Sequence, residues 1–118
     1  MVDDEERLTR LTKLNLERGG RYEVRTENRA RAGAAAARAF NPDLVLLDVM
    51  MPDGDGGQVA AEIREVPGMK SIPIIFLTAT VKPAEVNSRA GMIGGQLLMA
   101  KPVKTEELIA CIEKHLRR

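Results

Sequence analysis

Apolar and polar positions along this chain switch between two periods, and the switches mark its elements. Leu8, Leu11 and Leu14 recur every third residue within Glu5 to Arg18, which begins on acids and ends before Gly19-Gly20. That pattern predicts a first helix, with carboxylates in its first turn and glycine at its stop. Tyr22 to Thr26 alternates and predicts a strand. Arg29 to Phe40 is alanine-rich and predicts a helix weakened at Gly33. Asn41-Pro42-Asp43 is a turn. Leu44 to Asp48 is apolar on both faces, as in a strand covered on both sides of a parallel sheet. Gly57 to Val66 carries Val59, Ile63 and Val66 on one helical face. Ile72 to Thr78 is the next strand, with Pro73 near its start. A short helix is expected from Pro83 to Ala90 or Met92. Gln96 to Ala100 is the last strand. Thr105 is expected to cap a final helix whose inner face is Leu108, Ile109, Ile112 and Leu116.

Strands alternating with helices imply an α/β fold with a parallel sheet and helices on both faces. The polar residues at the strand ends then share one edge. Asp3-Asp4 follows the start of the chain, Asp48 ends the doubly apolar strand, Thr78 ends the next and Lys101 ends the last. Ligands of open α/β sheets bind at the carboxyl ends of the strands. A lone carboxylate buried there is costly, so the site calls for a cation or a proton.

Composition narrows the picture. A length of 118 residues suits a single domain over residues 1–118, and aromatics at only 3% leave packing to aliphatic side chains and methionine. A net charge of +1 gives no field for nucleic acid or a membrane surface. The single Cys111 excludes an internal disulfide and fits a reducing compartment. No apolar run reaches the ~20 residues of a membrane span, and the acidic start does not read as a signal peptide. A cytoplasmic location is expected. Asp53 and Asp55 read as turn residues, because no glycine falls where an EF-hand loop needs one. His115 reads as a helix-surface residue, Cys111 as semi-buried packing and the methionines as core filler.

Taken together, Asp3, Asp4, Asp48, Thr78, Lys101-Pro102 and the loop Met50-Met51-Pro52-Asp53-Gly54-Asp55-Gly56 resemble the receiver domain of two-component response regulators. Thr78 follows Asp48 by 30 residues and Lys101 follows Thr78 by 23, which fits that family too. The resemblance implies a flavodoxin-like five-stranded parallel sheet in the order 2-1-3-4-5. It implies phosphoryl transfer from a phosphohistidine onto Asp48, with Thr78 and Lys101 contacting the phosphoryl oxygens. It also implies Mg2+ held by Asp4, Asp48 and the Met50 carbonyl, with Asp3 acting largely through water. The partners implied are a histidine kinase or histidine phosphotransfer protein, and a downstream protein or output domain; homodimerisation stays open. Such a protein is a signalling phosphoacceptor rather than an enzyme, though it can catalyse its own phosphorylation and dephosphorylation. The Lys101-Pro102 bond is expected to be cis.

Three departures stand out. Only Met1 and Val2 precede Asp3, against roughly 5–6 residues in an average strand. The first strand is therefore expected to be truncated, leaving backbone groups unpaired on its neighbours. An amino group at Met1 would then lie near enough to the acid pair to weaken metal affinity. Leu98 stands where the family has an aromatic switch residue, which leaves the Thr78 half of that switch alone. Met50 cannot orient an attacking water by hydrogen bonding, so dephosphorylation is expected to be slow. The rival with most support is a receiver-fold interaction module that is never phosphorylated. A dehalogenase-type phosphatase would want an aspartate at Met50, and a flavin protein would want a hydroxyl- and glycine-rich loop after the first strand.

Overall fold

The structure, a computed structural model, describes residues 1–79, 92–93 and 96–116. Its elements are α1 (Glu6–Glu17), α2 (Gly33–Phe40, entered through a 3-10 turn at Ala30–Ala32), β1 (Val45–Asp48), β2 (Met50–Met51) and β3 (Gly54–Asp55). They continue as α3 (Gly56–Arg64), β4 (Ile74–Thr78), β5 (Met92–Ile93), β6 (Gln96–Ala100) and α4 (Thr105–Leu116). The helix expected from Pro83 lies outside the described residues, except that its outer limit, Met92, is in β5.

Four strands form a sheet in the order β1-β4-β6-β5. β1 runs parallel to β4, with Asp48 opposite Leu77, and β4 runs parallel to β6, with Thr78 opposite Ala100. The two-residue β5 lies antiparallel on the β6 edge. On the far side of β1, Val2 bridges in parallel to both Leu47 and Glu27. The line Glu27, Val2, β1, β4, β6 is the 2-1-3-4-5 arrangement, so the fold is flavodoxin-like α/β as expected.

The strand expected at Tyr22 to Thr26 does not form; only Glu27 makes a bridge. Its inner neighbour supplies one paired residue, Val2, so no ladder propagates. Side chains of α1 hold this segment instead. Glu17 Oε2 accepts from the Val24 N–H at 2.8 Å, and Lys13 Nζ donates to the Val24 carbonyl at 2.6 Å. Lys13 and Glu17 also pair with each other at 3.0 Å.

Helix α1 corrects a second expectation. Leu11 and Leu14 are 53% and 59% exposed, while Thr9 and Leu16 are buried. A three-residue spacing drifts backwards around a helix that turns every 3.6 residues, so Leu8, Leu11 and Leu14 leave the inner face. Thr9, Thr12 and Leu16 stay on it. The expected helix at Arg29 to Phe40 is split by the 3-10 turn, and α2 proper starts at Gly33. A Cβ there would fall 2.7 Å from Val59 Cγ1, so glycine lets α2 approach α3 closely. Asn41 ends α2 in the left-handed region (φ 56°), its N–H bonded to the Ala37 carbonyl at 2.8 Å. Asp55 caps α3 by accepting from the Gln58 N–H at 2.8 Å. Thr105 is the first residue of α4 rather than its cap, and its hydroxyl accepts from Asn15 Nδ2.

Two cores cover the sheet. Val2, Leu47, Ile74 and Phe76 pack with Val59, Ile63 and Val66 beneath α2 and α3; Leu98 joins this side. Leu46, Ile75 and Leu77 pack with Leu16 of α1 and with Leu108 and Ile112 of α4. Alternate residues of β1 and β4 thus feed opposite layers, and both strands are buried throughout. Met51 and Met69 are core filler, but Met50 is 68% exposed. Cys111 is semi-buried, and His115 lies over its own helix, Nδ1 2.8 Å from the Cys111 carbonyl oxygen.

Candidate functional site

The carboxyl ends of Val2, β1, β4 and β6 bring Asp3, Asp48, Thr78 and Lys101 to one edge. Asp3 is fully buried, Asp48 is 5% exposed and Thr78 is 2% exposed. Asp4 faces solvent beside them. Backbone bonds set this placement. Val2 N–H donates to the Leu46 carbonyl and Asp48 N–H to the Val2 carbonyl, both at 2.9 Å. Lys101 N–H donates to the Thr78 carbonyl at 2.8 Å. The Lys101-Pro102 peptide is cis.

Lys101 is the hub of the charges. Its Nζ lies 2.7 Å from Asp3 Oδ2, 3.1 Å from Glu5 Oε1 and 3.3 Å from Asp48 Oδ1. Burial alone would pull its pKa down, but hydrogen bonds to Asp3 and Glu5 and the charges of Asp3 and Asp48 hold it above the ordinary lysine value. Burial, and then the Asp3 charge, push Asp48 up to about 6 against the pull of Lys101. Sequence reasoning placed Glu5 only in the first turn of a helix. In the structure it precedes α1, 59% exposed at its side chain, and is a third partner of the lysine. The signal lay in the acid run Asp3-Asp4-Glu5-Glu6, which does not say which acid turns back toward the strand ends.

Two loops close on Asp48. Gly56 N–H donates to the Val49 carbonyl at 2.7 Å, and a Cβ on Gly56 would meet the Asp48 carbonyl oxygen at 2.4 Å. Only glycine lets α3 begin so close to the back of Asp48. β2 and β3 pair Met50 with Asp55. Between them Asp53 accepts from the Ala30 and Arg31 N–H groups at 2.9 and 3.2 Å. Those bonds, that of Ala30 foremost, hold the Asp53 carboxyl below its ordinary pKa. Asn28 Nδ2 donates to the Asp3 carbonyl at 2.8 Å and to Thr9 Oγ1 at 3.0 Å, which ties the acid pair to α1.

The residues present suit a hard divalent cation. Asp3, Asp4 and Asp48 can each offer one carboxylate oxygen within 4.8 Å of the others. Asp3 Oδ2 is buried, and Lys101 Nζ at 2.7 Å balances its charge. Four carboxylates, counting Glu5, share one ammonium, which leaves the site strongly anionic. An all-oxygen donor set of this kind selects Mg2+ or Ca2+ over softer metals.

Comparisons with known proteins give the family. The response regulator receiver domain family matches residues 1–113. The chain is 38% identical over its full length to the alkaline phosphatase synthesis transcriptional regulatory protein PhoP of Bacillus subtilis, and it spans 48% of that protein. Among solved structures it resembles chemotaxis protein CheY4 of Vibrio cholerae, with TM-score 0.79 and 26% identity over 97% of this chain and 93% of that one. It also resembles the N-terminal domain of a response regulator receiver protein from Methanoculleus marisnigri, with TM-score 0.67 and 35% identity over 99% and 94% of the two chains. The protein belongs to the response-regulator receiver family, the receiving module of two-component signalling. Among the described residues no helix is long and apolar enough to cross a membrane.

Proposed function

We propose that this chain is a single receiver domain, residues 1–118, that accepts a phosphoryl group on Asp48 from a phosphohistidine of a histidine kinase or phosphotransfer protein. The observation that carries the reading is the Asp48 carboxylate, 5% exposed at a strand end and held 3.3 Å from Lys101 Nζ beside two further aspartates. An Asp48 oxygen attacks phosphorus in line, the P–N bond to the donor imidazole breaks, and the leaving nitrogen keeps the electron pair. Asp4, Asp48 and the Met50 carbonyl would hold Mg2+ directly, with Asp3 at one remove. Bound there, the ion neutralises charge on the transferring phosphoryl oxygens. Lys101 moves from its carboxylate partners to a phosphoryl oxygen, and Thr78 donates its hydroxyl to another. Asp3 and Glu5 orient the lysine before that exchange.

The signal is the change of charge at Asp48, read at Thr78 and along β6 and α4. Leu98 packs in the α2–α3 core, so the readout runs without an aromatic switch there. The partner is a downstream protein or output domain. The location is cytoplasmic, no nucleic acid is bound by this domain, and the aspartyl phosphate is hydrolysed slowly beside the exposed Met50 side chain.

The test is intact-mass spectrometry after incubation with acetyl phosphate and Mg2+, beside an Asp48→Ala control. A gain of one phosphoryl mass (~80 Da) that needs both Mg2+ and Asp48 supports the reading. No gain in folded protein overturns it in favour of an interaction module that is not phosphorylated.

A further inference from the structure

Strand pairing fixes Asp48 but stops short of two of the groups proposed to hold Mg2+. Asp48 N–H is bonded to the Val2 carbonyl, and Val49 N–H still reaches the Leu77 carbonyl at 3.1 Å. Met50 lies one residue further, in the hairpin of β2 and β3, which pairs Met50 with Asp55 and Met51 with Gly54. A ribbon that short does not hold its shape by itself. Asp4 likewise lies one residue past Asp3, whose N–H donates to the Glu27 carbonyl at 3.0 Å.

One short stretch, Asn28 to Arg31, is bonded to both of these ends. Asn28 Nδ2 donates to the Asp3 carbonyl at 2.8 Å, just before Asp4, and to Thr9 Oγ1 at 3.0 Å. Thr9 is buried and its hydroxyl donates to the Glu6 carbonyl, so the Asn28 amide is anchored in α1 as well. Next in the chain, the Ala30 and Arg31 N–H groups donate to the Asp53 carboxylate at 2.9 and 3.2 Å. Asp53 sits at the hairpin tip, between β2 and β3. Packing backs these bonds. Ala30 and Met51 are buried in the same core, and a Cβ on Gly54 would fall 3.1 Å from Ala30 Cβ, so the hairpin lies close against the 3-10 turn. The solvent-screened contact of Arg31 Nε with Asp53 Oδ2, at 3.9 Å, adds little.

We propose that Asn28 and Asp53 are the two ends of a brace that sets Asp4 and the Met50 carbonyl in place for a divalent cation, an inference that rests on the metal role proposed above. Neither side chain is a ligand; both are positioning residues. Asn28 holds the acid pair through the Asp3 carbonyl, Asp53 holds the hairpin that carries Met50, and the backbone of residues 28–31 joins them. The brace acts by shape rather than by charge. It needs a hydrogen-bond donor at Asn28 and an acceptor at Asp53. Cutting either end lets one ligand drift from the other. Mg2+ demands near-ideal octahedral geometry and suffers from such slack, whereas Ca2+ coordination is adaptable. The brace therefore sets the preference of the site for Mg2+ over Ca2+ as well as its affinity.

The experiment titrates the full chain with Mg2+ and, separately, with Ca2+, read by amide chemical shifts in NMR spectra. The samples are wild type, Asp53→Ala, Asp53→Asn, Asn28→Ala and the Asn28→Ala/Asp53→Ala double variant. Ile63→Val, a core substitution on α3, controls for lost stability. The Mg2+ Kd is expected to rise by about tenfold in each alanine variant, the low end for groups that hold metal ligands in place. The Ca2+ Kd should rise by less than about threefold, because its shell adapts. Asp53→Asn keeps an acceptor for the Ala30 N–H and should stay within about twofold of wild type. The double variant should bind no more weakly than the weaker single variant, since a brace cut at one end is already slack. At saturating Mg2+ the maximal phosphorylation rate with acetyl phosphate should stay near that of wild type. Equal losses in Asp53→Asn and Asp53→Ala, or equal losses for the two ions, would make this an effect of charge and overturn the brace. Losses that multiply in the double variant, or an equal loss in Ile63→Val, would overturn it too. Wild type that binds Mg2+ while every variant matches it overturns the brace alone; wild type that binds no Mg2+ overturns the metal reading together with it.

Discussion

Lys101 Nζ sits closer to Asp3 Oδ2, at 2.7 Å, than to the Asp48 oxygen it is proposed to serve, at 3.3 Å. The lysine is thus held by a fully buried carboxylate that has no other balancing charge among the described residues. Breaking a buried pair by deleting one member leaves an uncompensated charge. Lys101→Met is therefore expected to lower unfolding free energy by about 3 kcal/mol at pH 7, the low end of the range for such pairs because Asp48 can take up a proton. Adding Asp3→Asn should restore more than half of the loss. Urea denaturation of the single and double variants checks this, and additive losses would count against the pairing.

The raised Asp48 pKa sets a pH dependence of unusual sign. Its folded value of about 6 lies above the ordinary 3.8, because burial and Asp3 disfavour the anion. The folded protein therefore binds a proton that the unfolded chain releases between those values. The stabilisation from this group is complete below the unfolded pKa and is lost as pH rises through about 6. Metal-free protein should gain Tm on going from pH 7.5 to 5.5. A divalent cation competes for the same oxygens, so Mg2+ affinity should fall as pH drops below about 6. Asp48→Asn should flatten both trends. A wild-type Tm that falls steadily over this range would contradict the assignment.

Much of this was legible in the chain because two periods are hard to confuse. The doubly apolar Leu44 to Asp48 became β1 with one residue trimmed, and Val59, Ile63 and Val66 all reached the core. Asp3, Asp48 and Lys101 meet because parallel strands deliver their carboxyl ends to one edge, which sequence order alone implies. What was not legible depends on tertiary contacts. Tyr22 to Thr26 has a strand's alternation but lacks a neighbour to pair with, so pattern lost to missing partners. The leucine spacing in α1 drifted off the inner face, and Thr9 took a buried place because Asn28 and the Glu6 carbonyl bond its hydroxyl. Asp53 read as a turn residue, yet it joins the Met50–Asp55 loop to the start of the second helix across 23 residues.

Gly56 is expected to tolerate no side chain. Gly56→Ala places a Cβ 2.4 Å from the Asp48 carbonyl oxygen, and backbone on both sides leaves no flexible atom to yield. Either α3 or the end of β1 must shift, at a cost of about 1–3 kcal/mol by comparison with overpacked cores. Because the shift falls on Asp48, the phosphorylation rate with acetyl phosphate should drop more than the loss of stability predicts. Gly57→Ala serves as a neighbour control, since a Cβ there meets only the Asp55 carboxylate at 3.2 Å. Equal rates for the two variants would show that the close approach at Gly56 does not set the site.

The last prediction concerns Lys13 and Glu17, a half-buried pair four residues apart on α1. As a solvent-screened ion pair it should contribute little by itself. Its atoms do more than pair, because Glu17 Oε2 also accepts from Val24 N–H and Lys13 Nζ also donates to the Val24 carbonyl. The Val24 hydrogen bond is the main reason the Glu17 pKa lies below its ordinary value, with Lys13 adding to it. Glu17→Ala should therefore speed exchange of the Val24 amide and loosen Tyr22 to Glu27, the wall against which Val2 and Asp3 are positioned. A depressed carboxylate pKa stabilises above the unfolded value, so the effect should be present at pH 7 and vanish as pH falls through the folded pKa. Glu17→Gln keeps an acceptor oxygen and should recover most of the Val24 protection without the charge. If Glu17→Ala and Glu17→Gln exchange alike at Val24, the charge pair rather than the backbone clip holds the segment.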